Sequence, residues 1–292
     1  MSSMDIESRV SGDELSSSPP EMSLPPFHRL LEMEFILPCA FFFAFFRFAA
    51  LFVQTFCWHD YQGFKQYRLR NLSICLLHSF LSGSWAFIFF IFNPTPMFED
   101  TLHWYEPWAT NLPIMSIAYF MNDSIDMAQH EISKWTVELF LHHAASIIAF
   151  LFAVLPRKFL LYSYWALLME VNSVFLHIRS IMQISATSET RPRLYLVVKT
   201  LNIITFIIFR FFVQAWQLTW GFRTYNQYHF CYSVIAIGCG FMFITINSIL
   251  FYRIISSDGL LGESMRPKSG GGRDAQTFVK AIGVEKQKKR SE

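Results

Sequence analysis

Charged residues are scarce in this 292-residue sequence. Lys, Arg, Asp and Glu together make up 16% of it, against roughly 25% in a typical soluble domain. Hydrophobic residues make up 53%, and 33 of them are Phe. Apolar runs of about 20 residues, long enough to cross a bilayer, recur along the chain. The composition therefore predicts an all-α, polytopic membrane protein.

The sequence also lacks the common motifs of metal and catalytic sites. It has no HExxH motif and no set of HxxHH-like boxes, which a zinc protease or a membrane di-iron enzyme would need. It has neither a GxSxG nucleophile elbow nor a glycine-rich phosphate loop before a helix. Its five cysteines show no CxxC spacing, which is typical of buried small hydrophobes. We therefore predict no metal, no cofactor and no nucleic-acid partner.

Hydropathy and turn residues divide the chain into a tail, seven spans and a second tail. Segment 1–34 is acidic and Ser/Pro-rich, and 258–292 is Gly-rich and then basic, so both are predicted to be disordered. The first helix is expected at 35–57, and six more form a domain over 65–257. The seven predicted helices are 35–57, 72–92, 111–128, 137–155, 159–181, 194–217 and 228–253. The third is the weakest, because MNDSIDM is polar, and without it the count falls to six.

Basic residues are distributed unequally between the two sides that seven spans would define. One side carries Lys65, Arg68, Arg70, Lys134, Arg191, Arg193, Arg253 and the basic tail. The positive-inside rule therefore places the C-terminus in the cytoplasm. The final EKQKKRSE admits two interpretations. It resembles a dilysine retrieval signal of the endoplasmic reticulum, or it is a solvated tail attracted to anionic lipids of the inner leaflet.

One predicted span contains ionisable residues where hydrocarbon is expected. The stretch VELFLHHAASIIAF (137–150) carries Glu138, His142 and His143. A buried imidazole or carboxylate is costly unless it finds a partner. Glu138 and His142 share a face at i and i+4, whereas adjacent histidines point about 100° apart, so both can hardly bind one ion.

Counting outward from each predicted turn gives the depth of the neighbouring polar residues. With a turn near 132–133, Asp123 lies level with His142 or His143, and Asp126 lies level with Glu138 or Leu139. With a turn near 157, Glu170 lies level with His143 or Ala144. The predicted polar layer comprises Asp123, Asp126, Glu138, His142, His143, Glu170 and Asn172. Such residues can simply join helices by hydrogen bonds, but the convergence of several ionisable groups favours a functional site.

Four stretches of the sequence resemble the TLC-domain family, which includes ceramide synthases and translocation-associated membrane proteins. They are RNLSICLLHSFLSGSWAF (70–87), YFMNDSIDM (119–127), ELFLHHAASII (138–148) and LLMEVNSVFLHIRSIM (167–182). The combined pattern is most similar to the branch of TLC domain-containing proteins one and two. Ceramide synthases follow their histidine pair with an HD..D-type motif, and this chain has Met169-Glu170-Val171-Asn172-Ser173 instead.

The resemblance implies a TLC-type helical bundle in a plasma-membrane protein that governs phospholipid composition and fluidity. It implies that the protein limits the incorporation of long-chain polyunsaturated acyl chains into phospholipids. The expected partners are phospholipids, acyl chains or lipid-remodelling enzymes. Three classes stay open: a non-enzymatic regulator, which is preferred, a lipid acyltransferase, and a channel or channel modulator. The endoplasmic reticulum stays open as the alternative location. In the enzyme, His142 or His143 would be the general base, and Asp123 or Glu170 would orient it.

Overall fold

A computed structural model describes residues 24–130 and 134–258, and its regular elements are all helices. The α-helices are α1 (Met33–Phe56), α2 (Gly63–Phe92), α3 (Pro94–Glu99), α4 (Asn111–His130), α5 (Lys134–Val154), α6 (Leu160–Leu167), α7 (Glu170–Ile184), α8 (Thr187–Thr190), α9 (Pro192–Phe206), α10 (Val213–Thr224) and α11 (Phe230–Ser257). A π-helix at Ile207–Phe212 joins α9 to α10, and 3₁₀-helices lie at Phe27–Leu31 and Pro107–Thr110. The predicted all-α fold is confirmed.

The connections between the long helices gather at two opposite ends of the bundle. At the upper end, defined by segments 93–110, 155–159 and 225–229, the Phe159 N–H donates to the Leu102 carbonyl at 3.0 Å. At the lower end, defined by 57–62 and 184–191, the Tyr61 hydroxyl donates to the Ser185 carbonyl at 3.1 Å. Within the described ranges the chain therefore passes between the ends seven times, in α1, α2, α4, α5, α6–α7, α9–α10 and α11.

Five helical stretches are long and apolar enough to cross a membrane. They are Met33–Phe56, Gly63–Phe92, Thr136–Val154, Pro192–Thr224 and Phe230–Ser257. The other two passes are α4, whose polar MNDSIDM segment made the third predicted span the weakest, and the broken pair α6–α7. A helical, polytopic membrane protein is thus confirmed, and the number of seven spans stays a prediction.

Several helix boundaries differ from the predicted ones. The fifth predicted span, 159–181, is interrupted between α6 and α7, and the sixth contains the π-helix. Within the predicted disordered segment 1–34, residues Phe27–Leu31 are helical and α1 begins at Met33. Residues 1–23 and 259–292 of the two predicted disordered segments, and the predicted turn at 132–133, lie outside the described residues.

The last six passes form a ring, and α1 lies on its outside. In this ring α2 packs on α7, α7 on α9, α10 on α11, α11 on α5, α5 on α4, and α4 on α2. Helix α1 packs on α4 and α2, and Phe46 is its one fully buried side chain in the described structure. Phe35, Phe42, Ala49, Ala50 and Val53 pack partly buried against the core. The opposite face of α1 presents mostly apolar side chains outward, as expected for a helix surrounded by lipid.

Contacts made by α1 and by the 3₁₀-helix before it fix this part of the chain to the ring. At the upper end Arg157 pairs with Glu34 at 2.6 Å, and Arg29 donates to the Leu155 carbonyl at 2.8 Å. Half-way down, the ring of Phe46 packs edge-on against Tyr119, with centroids 5.2 Å apart. These contacts lie at different heights, so they set the tilt and rotation of α1 that lipid alone would leave free.

A glycine allows α2 and α7 to approach each other closely. A Cβ atom built on Gly83 would lie 2.8 Å from the backbone N of Val171 and 2.9 Å from the carbonyl carbon of Glu170. Both obstructing atoms belong to backbone, which cannot rotate away as a side chain can. The absence of a side chain at Gly83 therefore holds the start of α7, and Glu170 with it, against α2.

We expect Gly83→Ala to lower the melting temperature of the detergent-solubilised protein, because α7 must move away from α2. Alanine in an exposed helix interior is otherwise favoured by about 1 kcal/mol over glycine. The matched control is Gly238→Ala in α11, where the added Cβ meets no atom within 4 Å. Equal melting temperatures for the two variants would contradict the tight α2–α7 contact.

Candidate functional site

The predicted neighbours Asp123 and His143 lie together between α4 and α5. The Nε2 atom of His143 is 3.7 Å from Oδ2 of Asp123, and its Nδ1 atom is 3.3 Å from Oγ of Ser124. The first distance exceeds hydrogen-bond length, so that contact is electrostatic. Asp123 is 3% exposed and His143 is 4% exposed. Both ring nitrogens of His143 thus face protein groups in an enclosed space.

Asp123 has a second partner on α2. The side-chain amide of Asn71 donates to Oδ1 of Asp123 at 2.7 Å and lies 3.4 Å from Oδ2 of Asp126. Asp126 also pairs with His130 one turn further along α4, at 3.5 Å. The amide of Asn71 therefore joins α2 to both acids of α4.

Glu138 lies outside this group. Its carboxylate accepts two hydrogen bonds from Arg253 of α11, at 3.0 and 3.1 Å. The prediction that Glu138 lies at the same depth as Asp126 was made by comparing α4 and α5 alone. The structure instead turns Glu138 towards α11, where a bidentate guanidinium is a stronger partner than another carboxylate could be.

The contacts of Glu170 and His142 are with α2 and α11. The Ser79 hydroxyl of α2 donates to Oε2 of Glu170 at 2.6 Å, because α7 packs on α2 rather than on α5. His142 is half-buried, and its ring lies 5.2 Å from the ring of Phe243 in α11. The acids of the predicted layer thus have partners on helices that the sequence count did not compare: Asp123 bonds to Asn71, Glu138 to Arg253 and Glu170 to Ser79. That these residues act as one layer stays a prediction.

Asn172 belongs to a third group, the Arg210 cradle, formed by Asn172, Ser173 and Asn247. The guanidinium of Arg210 donates from Nε to Oδ1 of Asn172 at 2.7 Å, from Nη1 to Oδ1 of Asn247 at 2.7 Å, and from Nη2 to Ser173 at 2.8 Å. The amide of Asn172 in turn donates to Asn202 and Thr205 of α9. The cradle thus joins α7, the π-helix and α11 around a buried cation.

Arg210 was not among the predicted site residues, although the sequence carries a signal for it. It is a lone arginine in the apolar run IITFIIFRFFVQAW (203–216), and an arginine at membrane depth is a functional candidate in itself. The π-helix at Ile207–Phe212 was not visible in the apolar pattern. Such segments are frequent at functional sites, and this one contains Arg210.

The arrangement separates possible roles for the two histidines. His143 is enclosed, and its nitrogens are occupied by Asp123 and Ser124, so it suits a fixed polar junction. The His142 ring is half-buried and forms no hydrogen bond among the described residues, so of the two histidines it is the one that could accept a proton. Among the described residues, no three His, Cys, Asp or Glu side chains converge to hold a metal ion.

Comparisons with known proteins identify the family of the chain. The family model of the TLC domain matches residues 68–256, against the predicted 65–257. The chain is 31% identical over 195 residues to TLC domain-containing protein 2 of Danio rerio, covering 66% of this chain and 77% of that protein. It is 33% identical over 163 residues to TLC domain-containing protein 1 of Gallus gallus, covering 56% and 63%. No solved structure matches. The chain belongs to the TLC domain family.

Proposed function

We propose that the protein regulates the phospholipid composition and fluidity of the plasma membrane by limiting the incorporation of long-chain polyunsaturated acyl chains into phospholipids. Membership of the TLC domain family supports this, together with the likeness to TLC domain-containing proteins 1 and 2. Its partners would be phospholipids, acyl chains or lipid-remodelling enzymes. The observation that carries the proposal is the enclosed Asp123–His143 pair.

The pair supports a role beyond joining helices. Neutral side chains can join helices in a membrane at about 0.6–2 kcal/mol per hydrogen bond, and Asn172 with Asn202 does so here. An ionisable acid and imidazole are more expensive to bury than two amides. Retaining them at the α4–α5 contact is accounted for if the charge of the pair has a functional role.

We expect Asp123→Asn, His143→Gln and Glu170→Gln to leave expression near normal but to abolish the effect on polyunsaturated phospholipids. Each change keeps shape and hydrogen bonding while removing ionisation. The measurement is lipidomics of null cells rescued at matched protein level.

The matched controls are Glu189→Gln, an exposed carboxylate on α8, and Ser248→Ala, an exposed polar residue on α11. Full rescue by all three conservative variants would show that the polar residues only join helices. Loss in Glu170→Gln alone would restrict the functional site to the α2–α7 contact.

A lipid acyltransferase is the second candidate, and the half-buried, unbonded His142 favours it. In this case the His142 ring would accept the proton of an attacking hydroxyl or amine.

For the enzyme, purified protein in nanodiscs given acyl-CoA and lysophospholipid should show turnover that His142→Ala reduces by about 10²-fold or more. The exposed His59→Ala variant is the control and should keep the wild-type rate. Absence of turnover, or turnover unaffected by His142→Ala, favours the regulator.

We also propose that the C-terminus is cytoplasmic and that the protein resides in the plasma membrane. The basic residues Lys65, Arg191 and Arg193 lie on or next to the lower-end connections, which supports this orientation. An epitope in 270–292 should be protected in intact cells and labelled after permeabilisation. Labelling from outside contradicts the orientation.

Imaging confined to the endoplasmic reticulum, with surface delivery restored by neutral replacement of Lys288 and Lys289, would favour the alternative location.

A further inference from the structure

The guanidinium of Arg210 is a buried cation whose hydrogen-bond acceptors are all neutral. A guanidinium carries five N–H donors, and the cradle oxygens accept from three of them at 2.7 to 2.8 Å. One N–H on Nη1 and one on Nη2 have no acceptor among the described residues, and Arg210 forms no ion pair with any of them. Amide and hydroxyl oxygens satisfy N–H groups but do not cancel a charge. A buried charge without an opposite charge is strongly unfavourable.

Glu170, the acid next to the cradle in sequence, is bonded elsewhere. It lies one turn before Ser173 on α7, but its Oε2 accepts from Ser79 of α2 at 2.6 Å. The ring of Phe206, whose centre is 5.3 Å from the guanidinium carbon of Arg210, offers only the partial negative charge of an aromatic face. A full negative charge is therefore missing at hydrogen-bond distance from the cation.

A second unsatisfied donor lies beside the cradle. The side-chain amide of Asn172, which accepts from Arg210, donates to Oδ1 of Asn202 at 3.1 Å. Nδ2 of the same Asn202 is buried and has no hydrogen-bond partner in the described structure. Asn172 and Asn202 are 0% exposed, whereas Arg210 is 9% exposed. The unmatched groups of this chain of contacts are N–H donors, and a ligand would meet them at Arg210.

The surroundings of the cation are apolar and far from water. Arg210 lies near the middle of the helical stretch Pro192–Thr224, about 20 Å or more from either end at roughly 1.5 Å per residue. Phe206 is fully buried beside it, and its ring lies 5.4 Å from that of Phe211 and 5.1 Å from that of Phe251. A ligand that fits here combines one negative charge with an apolar body.

These requirements select a carboxylate among the groups that lipids carry. An ester or alcohol oxygen accepts a hydrogen bond but leaves the charge of Arg210 uncancelled, and an ammonium is repelled. A carboxylate accepts from Nη1 and Nη2 together and makes the pair neutral. A phosphate has more oxygens than the free donors can satisfy, and it is costlier to bring to this depth. A fatty acid can enter hydrocarbon as the uncharged acid and bind as the carboxylate, with loss of its proton to the aqueous phase.

We infer that the Arg210 cradle binds the carboxylate of a free long-chain fatty acid. The inference rests on the proposed role in the handling of acyl chains, and it names the chemical form in which the protein would recognise them.

The test is photocrosslinking of a fatty acid that carries a diazirine close to its carboxylate, in nanodiscs of zwitterionic lipid that contain the full-length protein. Competitors with one 18-carbon chain are added at equal mole fraction: oleate, methyl oleate, oleyl alcohol, oleylamine and oleoyl lysophosphatidate. We expect oleate to compete about tenfold better than each of the others. The crosslink should map to α7, the π-helix or α11.

Three results of this competition would overturn the inference. Equal competition by methyl oleate or oleyl alcohol would show that the chain alone is bound. Equal competition by oleylamine or lysophosphatidate would show that the head group is not selected as a carboxylate. Loss of the crosslink when chloride replaces gluconate in the buffer would show that an inorganic anion occupies the cradle.

A charge change within the cradle gives a second arm. Asn247→Asp keeps the size of the side chain and places a carboxylate against Nη1 of Arg210, which Oδ1 of Asn247 contacts at 2.7 Å. The protein then supplies the missing charge itself, so oleate should lose its advantage over methyl oleate while the melting temperature does not fall. The matched control is Asn226→Asp, at an exposed asparagine between α10 and α11, which should keep the wild-type ranking. An unchanged ranking in Asn247→Asp is incompatible with the inference.

The binding readout separates this site from the proposed function. The expected ranking without a lipidomic phenotype would refute only the proposed function. A lipidomic phenotype without a preference for oleate would refute only the carboxylate site.

Discussion

A guanidinium within a membrane-spanning bundle cannot turn to water for its hydrogen bonds, and the position of Arg210 therefore constrains several helices at once. Its three acceptors come from α7 and α11, and the side-chain amide of Asn172 donates a hydrogen bond to Asn202 of α9. Arg210 lies on the π-helix. Because the turn of a π-helix is wider than that of an α-helix, its side chains point in different directions from those of a continuous α-helix. Helices that are distant in sequence are thereby fixed in rotation as well as in position.

The opposite side of the ring depends on smaller contacts. Asp123 is held by Asn71 and His143, and Gly83 lets α7 come so close that Ser79 reaches Glu170. These contacts give Oε2 of Glu170 a hydrogen-bond donor and enclose the Asp123–His143 pair.

Counting residues outward from each turn predicted contacts between consecutive helices. It did not predict contacts between helices that are distant in sequence. Asp123 and His143 are level because α4 and α5 are antiparallel and consecutive, and the two residues are indeed in contact. For Glu138 and Glu170 the count did not indicate the partners, because Arg253 and Ser79 lie on helices distant in sequence. Hydropathy gave the long apolar helices, whereas the break before α7 and the π-helix depend on tertiary packing. Arg210 could have been found from its own sequence, as a charge inside an apolar run.

The outside position of α1 has a consequence for how its sequence can change. The family match begins at residue 68, beyond this helix, and the outward phenylalanines of α1 meet only the surroundings of the bundle. Exchange of Phe41, Phe48 or Phe52 for another large apolar residue leaves every described polar contact in place, whereas Phe46, Arg29 and Glu34 are tied to specific partners in the ring. Arg47, whose guanidinium lies 3.4 Å from Oδ1 of Asn122, is a further specific contact with the ring. The outward apolar surface of α1 can therefore vary with the thickness and lipid content of the host membrane, provided that these contacts are kept.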